Sequence, residues 1–186
     1  MNLKREMKTA ELAAARAGSL LLKFSRKTDI GTRTKGGGSL VTDADIAAEK
    51  VIIDTIKKEF PDHKIISEEM GKSGKDSDCT WIIDPLDGTH NFSFGVPIWG
   101  TMIALMRKGE AVLSVINLPT FNALCVAQKG KGSYVNGKKV HVSKRNDLPK
   151  SKVYFSGLKR YAEPDIRKIF TNTINVLHRE LIVIGS

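Results

Sequence analysis

The chain has 186 residues, 41% hydrophobic and 27% charged, enough for one sizeable core or for one domain and part of another. Its charge of +10 is uneven: residues 1–128 carry 17 Lys/Arg against 16 Asp/Glu, whereas residues 129–186 carry 13 against 4. No apolar run reaches the roughly 20 residues of a membrane helix and no secretory leader is legible, so no membrane partner and a cytoplasmic location are expected. Two distant cysteines, Cys79 and Cys125, exclude a CxxC zinc site and read as reduced structural thiols.

Apolar residues at Leu3, Met7, Ala10, Ala14, Ala17 and Leu21 recur in steps of three and four, which predicts a helix over 3–24. "DIGTRTKGGGS" breaks it with four glycines, a loop that needs a partner or ligand to be ordered. A second helix is expected over 44–60, with Ala48, Ile52, Ile56 and Phe60 as its stripe, Thr42 or Asp43 as N-cap and Pro61 as its stop. Short β-rich runs follow at 64–67, 80–84, 98–106, 111–117, 123–128 and 138–142. Lys108-Gly109 and Asn136-Gly137 read as hairpin turns between later strands. Two helices and then a mostly antiparallel sheet make an α+β domain, placed at 1–145. From 146 to 186 the pattern changes to a strand at 152–155, a helix at 164–178 entered through Pro164, and a strand at 180–184. That alternation predicts the start of an incomplete α/β domain.

The chemistry concentrates in "WIIDPLDGTHNF", residues 81–92, where Ile82 and Ile83 should be buried and Asp84 and Asp87 follow at once. Asp-Pro-x-Asp-Gly is also a good β-turn sequence. Here it follows an apolar strand, so both carboxylates are expected on a tight loop at the strand's end. Two carboxylates in one half-buried spot repel each other unless a cation lies between them. Oxygen donors without Cys or a His set select magnesium, manganese or calcium over zinc. Glu68 and Glu69 end another strand in "IISEEMG", and Asp43 and Asp45 open the second helix; each pair alone has an ordinary surface or capping explanation. "GTHNF" adds a Gly-Thr pair whose amides could receive an anion.

In their order and spacing, "KGGGSLVTDAD", "IISEE", "WIIDPLDGTHNF" and "GSYVNGKKVHVSK" resemble the inositol monophosphatase family of magnesium-dependent, lithium-sensitive phosphatases. The resemblance covers essentially the whole chain and implies a layered αβαβα sandwich, a homodimer, Mg2+ or Mn2+ as cofactor and Li+ as inhibitor. By similarity, Glu68, Asp84 and the Leu86 carbonyl would hold a first cation, with Asp84 bridging to a second that Asp87 also binds. Asp45 and Thr89 would position and deprotonate the attacking water, while Asp87 and the Gly88 and Thr89 amides, with Gly185, would face the substrate. Lys35 would lie in a mobile loop over the metals, and Ser39 stands near a position often acidic in the family. Family members usually continue beyond an "IGS"-like segment to a Trp-Asp motif that supplies the remaining metal ligand. The resemblance therefore implies that these residues alone make a poor or inactive enzyme, prone to association.

The implied activity is hydrolysis of a small phosphate monoester such as inositol monophosphate. Histidinol phosphate, to whose phosphatases "GVPIWGTMIAL" is slightly similar, fructose bisphosphate and 3′-phosphonucleotides are alternative substrates. A catalytically dead metal-binding or regulatory protein is an alternative of another class. A nucleic-acid-binding module built on the basic C-terminal third is a third possibility, disfavoured because no aromatic residues interleave with its lysines. His90, Phe94 and Trp99 have ordinary packing or loop explanations, and His63, His141 and His178 are too scattered to suggest general-base work.

Overall fold

A computed structural model describes residues 2–34, 40–144 and 146, and the two short strands Val153–Phe155 and Leu181–Val183. The chain divides into two units, Met1–Val140 and His141–Ser186. In the second, Val153–Phe155 (β11) pairs in parallel with Leu181–Val183 (β12), in the register Val153↔Leu181 to Phe155↔Val183. The helix expected over 164–178 lies outside the described residues.

The first unit is two helices laid on one face of an eight-stranded sheet. Helix α1 spans Lys4–Phe24 and buries a stripe of small residues, Ala10, Ala13, Ala14, Ala17 and Gly18, which lets its backbone come close to the sheet. Asn117 on the sheet donates from Nδ2 to the carbonyl of Ala14 at 2.9 Å, inside the helix. Helix α2, Asp43–Glu59, settles the N-cap question in favour of Thr42. Its Oγ1 accepts from the Asp45 amide while the Asp45 carboxylate accepts from the Thr42 amide, a reciprocal capping box. Pro61 follows the C-cap residue Phe60 and stops the helix. The two helices pack against each other, α1 also on the middle strands and α2 on the strand that carries the aspartates.

Before α2, Arg33–Thr34 (β1) and Leu40–Val41 (β2) form a two-residue antiparallel strand pair. Arg33 pairs with Asp43 at the start of α2. The main sheet comprises Lys64–Ser67 (β3), Gly71–Ser73 (β4), Cys79–Asp87 (β5), Gly100–Arg107 (β6), Glu110–Leu118 (β7), Ala123–Gln128 (β8), Gly132–Val135 (β9) and Lys138–Val140 (β10). Their order in space is β10-β9-β8-β7-β6-β5-β3-β4. All neighbours are antiparallel except β3 and β5. The sequence missed β4 and β9, which are short and carry little apolar pattern. It found both tight turns: Lys108-Gly109 and Asn136-Gly137 have positive φ at each position, as two-residue hairpins of the right twist require.

Two expectations for β5 fail. Ile82 is 38% exposed while Trp81 and Ile83 are buried, because the helices cover one face of the strand and side chains alternate across it. The Asp-Pro-Leu-Asp segment is also not a turn: β5 runs through to Asp87 and pairs with β6 again at Asp87↔Gly100, with a register irregularity after Asp84. Pro85 cannot donate to the ladder, so the strand bulges there instead of reversing. Buried Thr101 on β6 donates to the Pro85 carbonyl at 3.0 Å and steadies the bulge.

Behind this strand lies the core of the first unit, with Leu21, Ile52, Ile56, Ile65, Trp81, Leu86, Ile103, Leu105 and Val115 all at most 1% exposed. Trp81 donates its indole N–H to His63 Nδ1 at 3.1 Å, and His63 stacks on Phe60 with ring centroids 4.7 Å apart. Trp99 meets Phe92 edge to face at 5.0 Å, consistent with a packing role, while Phe94 is 77% exposed on its loop. At the sheet edge, β10 carries exposed Lys138 and Lys139, a placement that discourages pairing with another strand. Among the described residues no helix is long and apolar enough to cross a membrane.

Candidate functional site

Parallel pairing of β3 with β5 is what assembles the acidic residues. In the register Ser67↔Ile83, the residue after β3 and the first aspartate of β5 arrive side by side, and the Glu68 amide donates to the Ile83 carbonyl at 3.2 Å. Antiparallel pairing would have sent Glu68 to the opposite end of the strand. Asp84 is half-buried. Burial first, then the charges of Glu68 and Asp87, push its carboxyl up to about 7, and a hydrogen bond with Glu68 acts in the same direction. Asp84 Oδ1 also accepts from the Leu86 amide at 3.1 Å, which folds the bulge around the carboxylate.

Beside this acidic group lies a second one. Thr89 opens a five-residue helix, Thr89–Ser93 (α3), after Gly88 with φ 88°, a conformation suited to glycine. A Cβ on Gly88 would also stand 2.9 Å from the Ile98 carbonyl. Thr89 Oγ1 lies 3.2 Å from Asp45 Oδ1 and 3.0 Å from the Leu86 carbonyl. Having one hydrogen, the hydroxyl donates to one of them at a time. The other oxygen of Asp45, Oδ2, accepts from the amide and hydroxyl of Thr42 at 2.7 and 2.5 Å. Asp45 is 1% exposed, and burial raises its pKa despite the hydrogen bonds from Thr42 and Thr89.

The structure thus brings together Asp45, Thr89 and the Leu86 carbonyl in one hydrogen-bonded group, and Glu68, Asp84 and Asp87 in one electrostatic group. The Asp84–Leu86 contact joins the two. Among the described residues no three His, Cys, Asp or Glu side chains form a ready-made metal cage. Asp84 and Glu68 instead meet through a hydrogen bond, the alternative to a cation for two carboxylates at this distance. The donor set nonetheless fits a hard divalent ion: all oxygen, excess negative charge, and a carbonyl at the same bulge. Lys35, Ser39 and Gly185 lie outside the described residues.

Over residues 3–186 the sequence matches the profile of the inositol monophosphatase family. The chain belongs to that family. Nus factor SuhB of Escherichia coli is similar at 43% identity over 138 residues, 73% of this chain and 52% of its own length. Fructose-1,6-bisphosphatase/inositol-1-monophosphatase of Aquifex aeolicus is 36% identical over 155 residues, 83% of this chain and 59% of that one. The solved structure of inositol monophosphatase from Anabaena superposes with a TM-score of 0.83 at 31% identity, covering 100% of this chain and 69% of that chain. The chain spans about half the length of most of the curated relatives it matches.

Two residues that hold the backbone beside the acidic groups escaped the sequence. Thr101 supports Pro85 from a neighbouring strand, and nothing in sequence spacing links residues 16 apart. Glu49 had a signal: it follows Asp45 by four positions on the buried face of α2, where a carboxylate needs a reason.

Proposed function

We propose that the chain carries the water-activating and metal-binding part of a phosphatase that hydrolyses a small phosphate monoester such as inositol monophosphate, with magnesium. The observation that supports it is the junction of the two groups: a buried Asp45 hydrogen-bonded to Thr89, next to Asp84 crowded by Glu68 and Asp87. Glu68, Asp84, Asp87 and the Leu86 carbonyl would hold the cations. Bound there, magnesium supplies a lowered pKa for a coordinated water and neutralises the phosphoryl oxygens.

The chain's own groups manage the proton. Thr42 occupies Asp45 Oδ2 and leaves Oδ1 toward Thr89, so the Thr89 hydroxyl is oriented to pass its proton to Asp45 while accepting one from water. Burial makes Asp45 a stronger base than an ordinary carboxylate. The Gly88 and Thr89 amides, at the start of α3, would face the substrate. With only five residues, α3 adds little macrodipole, so direct amide contacts would receive the phosphate.

The test is magnesium-dependent phosphate release from inositol 1-phosphate, histidinol phosphate, fructose 1,6-bisphosphate and a 3′-phosphonucleotide, together with calorimetric magnesium or manganese titration. Uptake that disappears in Asp84→Asn, with at most slow release from one ester, is the expected result. No uptake of either ion at millimolar concentration would overturn the proposal.

A further inference from the structure

We infer that Glu49 is a positioning residue for the cation site, holding the turn that carries Glu68 from inside the core; the inference rests on the metal-binding role proposed above for Glu68. Glu49 is 0% exposed, an unusual place for a carboxylate on the packed face of a helix. Its Oε1 accepts from the amides of Glu69 and Met70 at 3.0 and 3.3 Å. Its Oε2 is buried and finds no hydrogen-bond partner among the described residues.

The three amides of the turn at residues 68–70 are thereby divided between two elements. That of Glu68 goes to β5, and those of Glu69 and Met70 go to α2. Ser67 Oγ donates to the Gly71 carbonyl at 3.3 Å and closes the turn from below. The Glu68 backbone is therefore fixed on both sides, although its side chain is exposed.

One helix does both jobs. Asp45 and Glu49 are four residues apart, on the same face and about 6 Å along the axis. The first reaches Thr89 after β5, and the second reaches the turn after β3. Helix α2 thus sets the separation between the strand ends from which the two acidic groups project. Groups that hold a ligand's backbone usually change metal affinity by about 10- to 100-fold when removed. An apolar side chain would fill the Glu49 position at lower desolvation cost, but it would leave two amides of the turn without acceptors.

Glu49→Met preserves length and packing while removing the acceptors; Glu49→Gln keeps an oxygen for both amides. Manganese binding, followed by electron paramagnetic resonance of the free ion, is expected to weaken about 10- to 100-fold in Glu49→Met and to stay within about threefold of the native chain in Glu49→Gln. Hydrogen exchange supplies a measurement that needs no metal. The Glu69 and Met70 amides should be protected in the native chain and exchange at least about tenfold faster in Glu49→Met, with β5 amides unchanged. Equal manganese affinity in Glu49→Met and the native chain would overturn the inference, as would equal weakening in both variants. Unprotected Glu69 and Met70 amides in the native chain would also overturn it, whether or not Glu49→Met folds. A native chain that protects these amides but takes up no manganese would instead refute the metal-binding proposal on which the inference rests.

Discussion

Asp84→Asn should make the metal-free protein more stable while abolishing its response to magnesium. In the native chain the Asp84 carboxyl is pushed from 3.8 to about 7, first by burial and then by Glu68 and Asp87. A carboxyl whose pKa rises on folding binds more protons in the native state, so its penalty is absent below 3.8, grows as pH rises, and is complete above about 7. At 1.36 kcal/mol per pH unit the full interval corresponds to about 4 kcal/mol. Asp84 is only half-buried and solvent screens its neighbours, which reduces the figure to about 2 kcal/mol. Asparagine carries no charge yet keeps an oxygen for the Leu86 amide. In buffer with a chelator, Asp84→Asn should therefore melt about 4–8 °C above the native chain at pH 8, and the difference should close by pH 4. Magnesium at a hundredfold excess over its dissociation constant should stabilise the native chain by about 2.7 kcal/mol and leave the variant unmoved. The assay is thermal or urea unfolding from pH 4 to 8, with and without the metal. An Asp84→Asn protein no more stable than the native chain at pH 8 under chelation would show that the carboxylates are not crowded, and the reasoning would fail.

Thr89→Val removes the hydroxyl between Asp45 and the Leu86 carbonyl, and phosphate release should fall about 10²- to 10⁴-fold, with Thr89→Ser retaining most of it. Gly18→Ala places a Cβ 2.2 Å from Asn117 Nδ2, the group that donates to Ala14; despite a helix-propensity gain of about 1 kcal/mol, urea unfolding should show a net loss of about 1–2 kcal/mol. In an Asn117→Ala background the same substitution should become neutral or stabilising. His63 has its pKa lowered by burial and accepts a hydrogen bond from the Trp81 indole N–H, so its contribution to stability is complete above its unfolded value of 6.5 and is lost as pH falls below it. His63→Gln should remove that part of the acid sensitivity in melts between pH 7 and 5, and identical pH profiles would refute the assignment.

Local pattern carried much of the fold. The three-and-four spacing along α1, the Thr42 capping site and the Asn136-Gly137 turn are each decided by residues within a few positions of one another, so they can be read from the chain alone. Membership of the inositol monophosphatase family was legible for a related reason: each of the four segments that carry the resemblance, among them the one from Asp84 to Thr89, is a short run of neighbouring residues. What the sequence could not supply is direction and register. Asp-Pro-Leu-Asp reads as a turn by itself and becomes a bulged strand only because β6 pairs again with Asp87. Glu68 and Asp84 are neighbours only because β3 and β5 run parallel in one particular register. Glu49 shares the Asp45 face of α2 by spacing alone, but only the fold brings its oxygen to two amides 20 and 21 residues away. Residue type and short-range spacing specify which chemical groups are available. Their meeting depends on long-range pairing, whose energy is spread over many contacts and leaves no mark at any single position.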